Sequence, residues 1–258
     1  MLREVTTLHG SAVEASDGTI GHVGDAYFDD EGWAIRYLVV ATGSWLTGRE
    51  VLISPHAVEA PLGSDAVVKV TLTREQVRKS PDIDTHKPVS RQHEFAYYDY
   101  YGYGNYWYGP NLWGVSASPL PTPPLERSRS DAERWRGQSE ASSQDIHLRS
   151  TEHVSGYPVQ ATDEGIGHVE DFIFDDASWA IRYLVVNTRN WWPGGNKVLV
   201  STRWIGRIDW SERKVFTSLT RDGVKRSPAY NGAAGIDHAY ENRLHEAHGL
   251  DACSGYGI

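Results

Sequence analysis

The chain has 258 residues, long enough for two domains that each bury a core of their own. Apolar residues make up 40% and charged residues 23%, the balance of a soluble globular protein, while the net charge of −9 argues against general nucleic-acid binding and against docking on anionic lipid by charge alone. One cysteine, Cys253, excludes an internal disulfide and a cysteine-based metal cage, no apolar run is long enough to span a bilayer, and Met1–Thr6 lacks the hydrophobic stretch of a signal peptide; the expected location is the cytoplasm.

The chain repeats itself. Ile20-Gly21-His22-Val23, Phe28-Asp29-Asp30 and Trp33-Ala34-Ile35-Arg36-Tyr37-Leu38-Val39-Val40 return as Ile166-Gly167-His168-Val169, Phe174-Asp175-Asp176 and Trp179-Ala180-Ile181-Arg182-Tyr183-Leu184-Val185-Val186, at an offset of 146. Leu2-Arg3 already aligns with Leu148-Arg149. Past the Val-Val pair the offset is 147, matching Val51–Ser54 with Val198–Ser201, Leu72–Arg74 with Leu219–Arg221, Glu94 with Glu241 and Gly102 with Gly249. A repeat settles domain organisation before local structure is considered. The units are 1–102 and 148–249, with a linker at 103–147 and a tail at 250–258.

In chain order, Val23–Phe28 reads as a strand, Asp29–Gly32 as a turn and Trp33–Ala41 as the second strand of a hairpin. On that strand Trp33, Ile35, Tyr37 and Val39 share one face, and Ala34, Arg36, Leu38 and Val40 the other. Two apolar faces place it at the centre of a sheet. A buried arginine needs a partner, so Arg36 and Arg182 are expected to sit at a barrel mouth against a nearby aspartate. Val51–Ser54 and Ala66–Leu72 add strands, the latter at an edge, and the close spacing suggests a small barrel. Thr73–Lys79 and Thr220–Arg226 read as helical turns. A helix closes each unit, capped by Ser90 and Gly102 in the first and by Asp237 and Gly249 in the second.

The linker opens on aromatics and continues through Pro110, Pro119, Pro121, Pro123 and Pro124 into a charged serine-rich run. Most of it is expected to be mobile, with a short helix at Asp131–Gly137. Tyr97, Tyr98, Tyr100, Tyr101, Tyr103, Tyr106, Trp107, Tyr108 and Trp113 crowd its start. The second copy holds Leu244, His245, Ala247 and His248 at the positions matching Tyr97, Tyr98, Tyr100 and Tyr101, so the unit's fold does not demand these rings. Tyr and Trp suit binding surfaces, and the stretch is a candidate for a partner or for self-association; packing on its own barrel is the competing reading. Trp45, Trp191 and Trp192 lie in matching loops and are further candidates, expected to fold over a barrel end with part of each ring exposed.

Other chemistry is thin. His22 and His168 have no ligand-spaced partner and read as strand-start residues. Asp29-Asp30 and Asp175-Asp176 read as turn residues rather than as an acid–base pair or an EF-hand. No phosphate loop or nucleophile elbow is present. No catalytic residue, metal ligand or cofactor site emerges.

The motif Gly-His-Val-x-Asp, Phe-Asp-Asp, Trp-x-Ile-Arg-Tyr-Leu-Val-Val, a Trp-x-x-Gly loop and Val-Leu-Ile-Ser-Pro resembles the PRC-barrel domain, named for the cytoplasmic part of the H subunit of purple bacterial photosynthetic reaction centres. Ser80–Asp84 through Arg91–Glu94 resemble the extension of bacterial tandem PRC-barrel proteins. The resemblance implies a mainly β fold: two tandem small β-barrels, each followed by a short C-terminal helix and joined by a flexible linker. It implies a docking module without shared catalytic residues. The reading is a non-enzymatic interaction or scaffold protein whose protein partner is unnamed, with its barrels pairing with each other or between copies. A peripheral subunit in membrane electron transfer, held through a partner, and a metal- or small-molecule-responsive sensor are the alternatives.

Overall fold

The computed structural model describes residues 1–60, 62–63, 67–81, 89, 91–119, 148–189, 191 and 193–249. The expected helix at Asp131–Gly137, the Ser90 cap, Trp192 and Cys253 lie outside these residues. The fold is mainly β, with two sheets and a few short helices in two compact units. The first strand, β1 (Leu2–Glu4), does not join the residues that follow it but belongs to the C-terminal unit.

The N-terminal unit comprises Thr7–Ser150 with Asp176–Ala180. Its strands β2 (Ala12–Ala15), β3 (Gly18–Asp29), β4 (Ala34–Ala41), β5 (Glu50–Ile53) and β6 (Val67–Lys69) run in the order β5-β4-β3-β2-β6. β3 is 12 residues long, so one side of it serves two partners. Gly18–His22 pair with β2, and Tyr27–Asp29 pair with β7 (Leu148–Ser150). β4 lies between β3 and β5 with Ala34–Val40 wholly buried, as two apolar faces require. Trp33 itself is not in the strand: it turns the corner with φ 51° and stacks on Phe28 at 5.6 Å, as Trp179 turns its own corner with φ 60°. β6 pairs parallel with β2 at the sheet's edge, and among the described residues the path of hydrogen bonds does not close. α1 (Arg74–Arg78) starts at a Thr73–Gln76 capping box, and α2 (Arg91–Tyr101) is followed by Gly102 at φ 72°.

The C-terminal unit comprises Met1–Thr6, Thr151–Asp175 and the chain from Ile181 onward. After α3 (Thr151–Val154), strands β8 (Pro158–Gln160), β9 (Gly165–Asp175), β10 (Ile181–Asn187), β11 (Lys197–Ser201), β12 (Ile205–Asp209) and β13 (Lys214–Thr217) run in the order β11-β10-β9-β8-β13-β12. β9 repeats the double use of β3: its start pairs with β8 and its end, Ile173–Asp175, pairs with β1. α4 (Arg221–Arg226) is capped by Thr220, and α5 (His238–Ala247) by Asp237, whose carboxylate accepts from the Tyr240 N–H at 2.7 Å.

Two expected boundaries therefore change. The strand at Leu2–Glu4 completes the sheet of the second copy, and its counterpart at Leu148–Ser150 completes the sheet of the first. The described part of the expected linker, 103–119, lies in the N-terminal unit, where Tyr103, Tyr106 and Trp113 are buried. Tyr106 and Trp113 there lie over the Arg36 guanidinium, and Tyr103 stacks on His56.

The Gly-His pair owes its repetition to the backbone. A Cβ on Gly21 would run into the Ala41 carbonyl, and one on Gly167 into that of Asn187. Gly21→Ala is expected to destabilise the N-terminal unit by about 3 kcal/mol, because backbone cannot yield as a side chain can. Urea denaturation followed by intrinsic fluorescence measures it; a loss under about 0.5 kcal/mol would mean the strands separate freely there.

Candidate functional site

Sequence and fold together bring one set of groups to the same place in both units. In the N-terminal unit the hairpin register pairs Asp29 with Ala34, which sets Arg36 two residues along β4 within reach of the Asp29 carboxylate. Arg36 Nη2 donates to Asp29 Oδ2 at 2.9 Å, and both side chains are buried. The other Asp29 oxygen accepts the N–H groups of Glu31 and Gly32 at 3.0 and 3.1 Å, the turn role expected of it. Burial alone would raise the Asp29 pKa; the Arg36 charge and these N–H donors outweigh it and hold the carboxyl below 3.8.

Arg36 is then covered by the aromatic segment. Its guanidinium lies 3.7 Å from the Tyr106 ring centre and 4.8 Å from that of Trp113, and Nη1 donates to the Leu112 carbonyl at 2.7 Å. Glu94 on α2 is fully buried and accepts the hydroxyls of Tyr106 at 2.8 Å and Tyr37 at 3.2 Å. Burial and the adjacent Glu94 charge push the Tyr37 hydroxyl well above 10.0. The Trp113 indole N–H donates to the Ser178 carbonyl at 2.7 Å. Residues 106–113 are thus held by a cation, a carboxylate and aromatic faces at once.

The C-terminal unit repeats the same frame. Asp175 and Arg182 match Asp29 and Arg36, Glu241 matches Glu94, and Leu2 on β1 stands where Leu148 on β7 stands in the first unit. Tyr183 donates to Glu241 at 2.6 Å, repeating the Tyr37–Glu94 pair. These four matched residues, with Ile236, Asp237 and His238, line a cavity of about 590 Å³, in the range of ligand pockets. Arg182, Asp175 and Glu241 are each partly exposed, whereas their first-unit counterparts are buried.

The other residues named from the sequence fall into three groups. Tyr97, Tyr98, Tyr103, Tyr106 and Trp113 are buried in the N-terminal unit. Tyr97 accepts from the Ser54 N–H and donates to the Leu52 carbonyl, each at 3.0 Å, and rings from Tyr37 to Tyr103 and His56 pack edge to face or stacked. Tyr101 and Trp107 are half-buried; Tyr100 and Tyr108 are exposed. Trp45 donates its N–H to the Ile20 carbonyl under the Arg74 guanidinium, and Trp191 packs on Gly165 with part of its ring exposed. His22 is exposed and His168 half-buried, and among the described residues no three His, Cys, Asp or Glu side chains are placed to hold a metal. The cavity was not singled out from the sequence; the signal was Glu94 and Glu241, acidic residues repeated on helices.

At the end of α5, His248 packs on Trp204 at 4.8 Å and shares a hydrogen bond with Ser227 at 2.9 Å. Burial, then the Arg226 and His245 charges, lower its pKa to about 4 from 6.5. The folded value lies below the unfolded one, so this stabilisation is complete above pH 6.5 and is lost as pH falls toward about 4. Denaturation of His248→Gln is expected to show a flatter profile across that window; an unchanged profile would place the titration elsewhere.

The model of the PRC-barrel domain family matches residues 152–222. That stretch resembles a PRC-barrel domain. The matched stretch spans β8 through the start of α4, and the first copy repeats its motifs and its β2–β6 strand order, so the two β-rich units fit tandem PRC-barrel-like modules. No curated protein matches the chain. Among the described residues no helix is long and apolar enough to cross a membrane.

Proposed function

We propose that the chain is a non-enzymatic interaction and scaffold protein of the cytoplasm, built from two PRC-barrel modules that grip polypeptide. The observation that carries this reading is residues 106–113, held by Arg36 and Glu94. Aromatic faces, an arginine and a shielded carboxylate are the means by which interfaces hold their anchor residues. Tyr100, Tyr108 and Trp191 add exposed aromatic surface.

The test is affinity capture of the full chain from its native host, followed by reconstitution of each captured complex from purified components. The expected result is a stoichiometric complex, weakened when Tyr100, Tyr108 and Trp191 are changed to serine. A chain that reconstitutes with nothing it captures, or that turns over a substrate, would overturn the reading.

A further inference from the structure

We propose that the outer edge of β12, with its hairpin partner β13, is a docking site for an acidic extended segment of a partner protein, added to the sheet as a further strand. The proposal rests on the reading of the chain as an interaction protein and names one surface and the chemistry it takes. β12 ends the sheet order of the C-terminal unit, and among the described residues no strand pairs with its outer side. Gly206 and Arg207 are exposed there, and a Cβ on Gly206 would meet only the Phe216 carbonyl, at 3.8 Å. The edge of a sheet is a template for another strand. Cations gather at this edge. Residues 197–226 hold eight lysines and arginines against three acidic residues, in a chain whose net charge is −9. Arg203, Arg207 and Arg213 are exposed, and Arg207 and Lys214 lie over the Phe216 ring at 4.1 and 5.9 Å. At the offset of 147 the first copy has His56, Ala60, Ala66 and Val67 where the second has Arg203, Arg207, Arg213 and Lys214, so the shared fold does not demand these charges.

Register and charge narrow the occupant. Arg207 stands opposite Phe216 and Asp209 opposite Lys214, so these side chains share the outward face, whereas Ile208 stands opposite the fully buried Val215 and faces inward. A strand laid beside β12 presents alternate residues to the cations and to the half-buried Ile208, which selects alternating acidic and apolar side chains. Arg207 and Lys214 pair with Asp209 and Glu212 at 2.9 and 3.3 Å, and such exposed pairs cost little to exchange for a partner's carboxylate. Arg203 and Arg213 have no ion pair among the described residues. A nucleic acid would gain from the cations but not from the main-chain edge or from Ile208. Outside the described residues, no segment of this chain has more than one acidic residue in excess of its basic ones, so the acidic strand comes from another protein.

The probe is a labelled peptide of alternating glutamate and valine, titrated into the full chain by fluorescence anisotropy. Saturable one-to-one binding is expected, with hydrogen exchange at Ile205–Asp209 slowed in the complex. Binding should weaken roughly tenfold in the double variant Arg207→Glu, Arg213→Glu, and hold in a charge-matched control, Lys79→Glu with Lys225→Glu. All four side chains are exposed, so both variants should fold, and unchanged exchange at β9 checks that they do. A peptide of alternating lysine and valine should not bind. No saturable binding, equal losses in the two double variants, or a complex that leaves β12 exchange unchanged would overturn the proposal. So would tighter binding of an oligothymidylate, which would assign the edge to nucleic acid. So too would a dimer of the chain that Arg207→Glu, Arg213→Glu abolishes, which would assign it to a second copy. Host partners captured equally well by that variant would leave the interaction reading standing and remove this site alone.

Discussion

Replacing Arg36 by alanine is expected to destabilise the N-terminal unit by about 3–5 kcal/mol, the range seen when one partner of a buried ion pair is removed. Asp29 would stay buried with only the N–H groups of its turn, and Tyr106, Trp113 and the Leu112 carbonyl would lose the group that gathers them. The same change at Arg182, which is partly exposed, is expected to cost about 1 kcal/mol or less. Urea denaturation measures the loss, with native-state hydrogen exchange assigning it to one unit, and limited proteolysis should cut residues 103–118 of Arg36→Ala first. The pH dependence adds a second check. In the intact protein the Asp29 pKa is held below 3.8, so its stabilisation is present above that pH and is lost as pH falls through the folded value. Without Arg36, burial is left to raise the folded pKa, so the penalty should shrink as pH falls through that raised value. Equal losses for both arginines would show that the aromatic cover contributes nothing.

Deleting residues 1–6 is expected to destabilise the C-terminal unit, whose other residues begin at Thr151, by about 4 kcal/mol, and to leave the N-terminal unit near its original stability. The figure combines one buried valine at about 1.5–2 kcal/mol with two or three net hydrogen bonds near 1 kcal/mol each. Val5 is buried; β1 pairs with Ile173–Asp175; Glu4 accepts the Tyr230 hydroxyl at 2.6 Å; and Thr6 donates its N–H, at 3.2 Å, and its hydroxyl to Asp171. Burial raises the Asp171 pKa even with those donors present, so losing them leaves a carboxylate that costs more to keep ionised. Hydrogen exchange at β9 should accelerate while exchange at β4 does not. Unchanged protection at β9 would mean that the β1 pairing contributes no stability.

Much of this was legible in the residues. The turn at Asp29-Asp30, the buried strand at Ala34–Val40, the arginine needing an aspartate, the helical turns after Thr73 and Thr220 and the cap at Asp237 all follow from local chemistry, because each involves neighbours in sequence. The aromatic stretch was legible as unusual. Its burial was not, because the choice between a partner and its own barrel depends on Arg36, about seventy residues earlier. The cavity was hidden for a related reason. Glu241 is an ordinary helix residue until the fold sets it beside Arg182 and Asp175.

The sequence by itself determined that there are two similar β units, where their hairpins turn and that each carries an arginine on its central strand; it expected both arginines to be buried, and Arg182 is partly exposed. The tertiary structure alone decided which strand completes which sheet and what covers Arg36. Leu2-Arg3 and Leu148-Arg149 are interchangeable by local pattern, so nothing near them chooses between β9 and β3. That choice, and the enclosure of Arg36 by Tyr106 and Trp113 while Arg182 lines a cavity, rest on contacts between distant segments, which period and propensity do not encode.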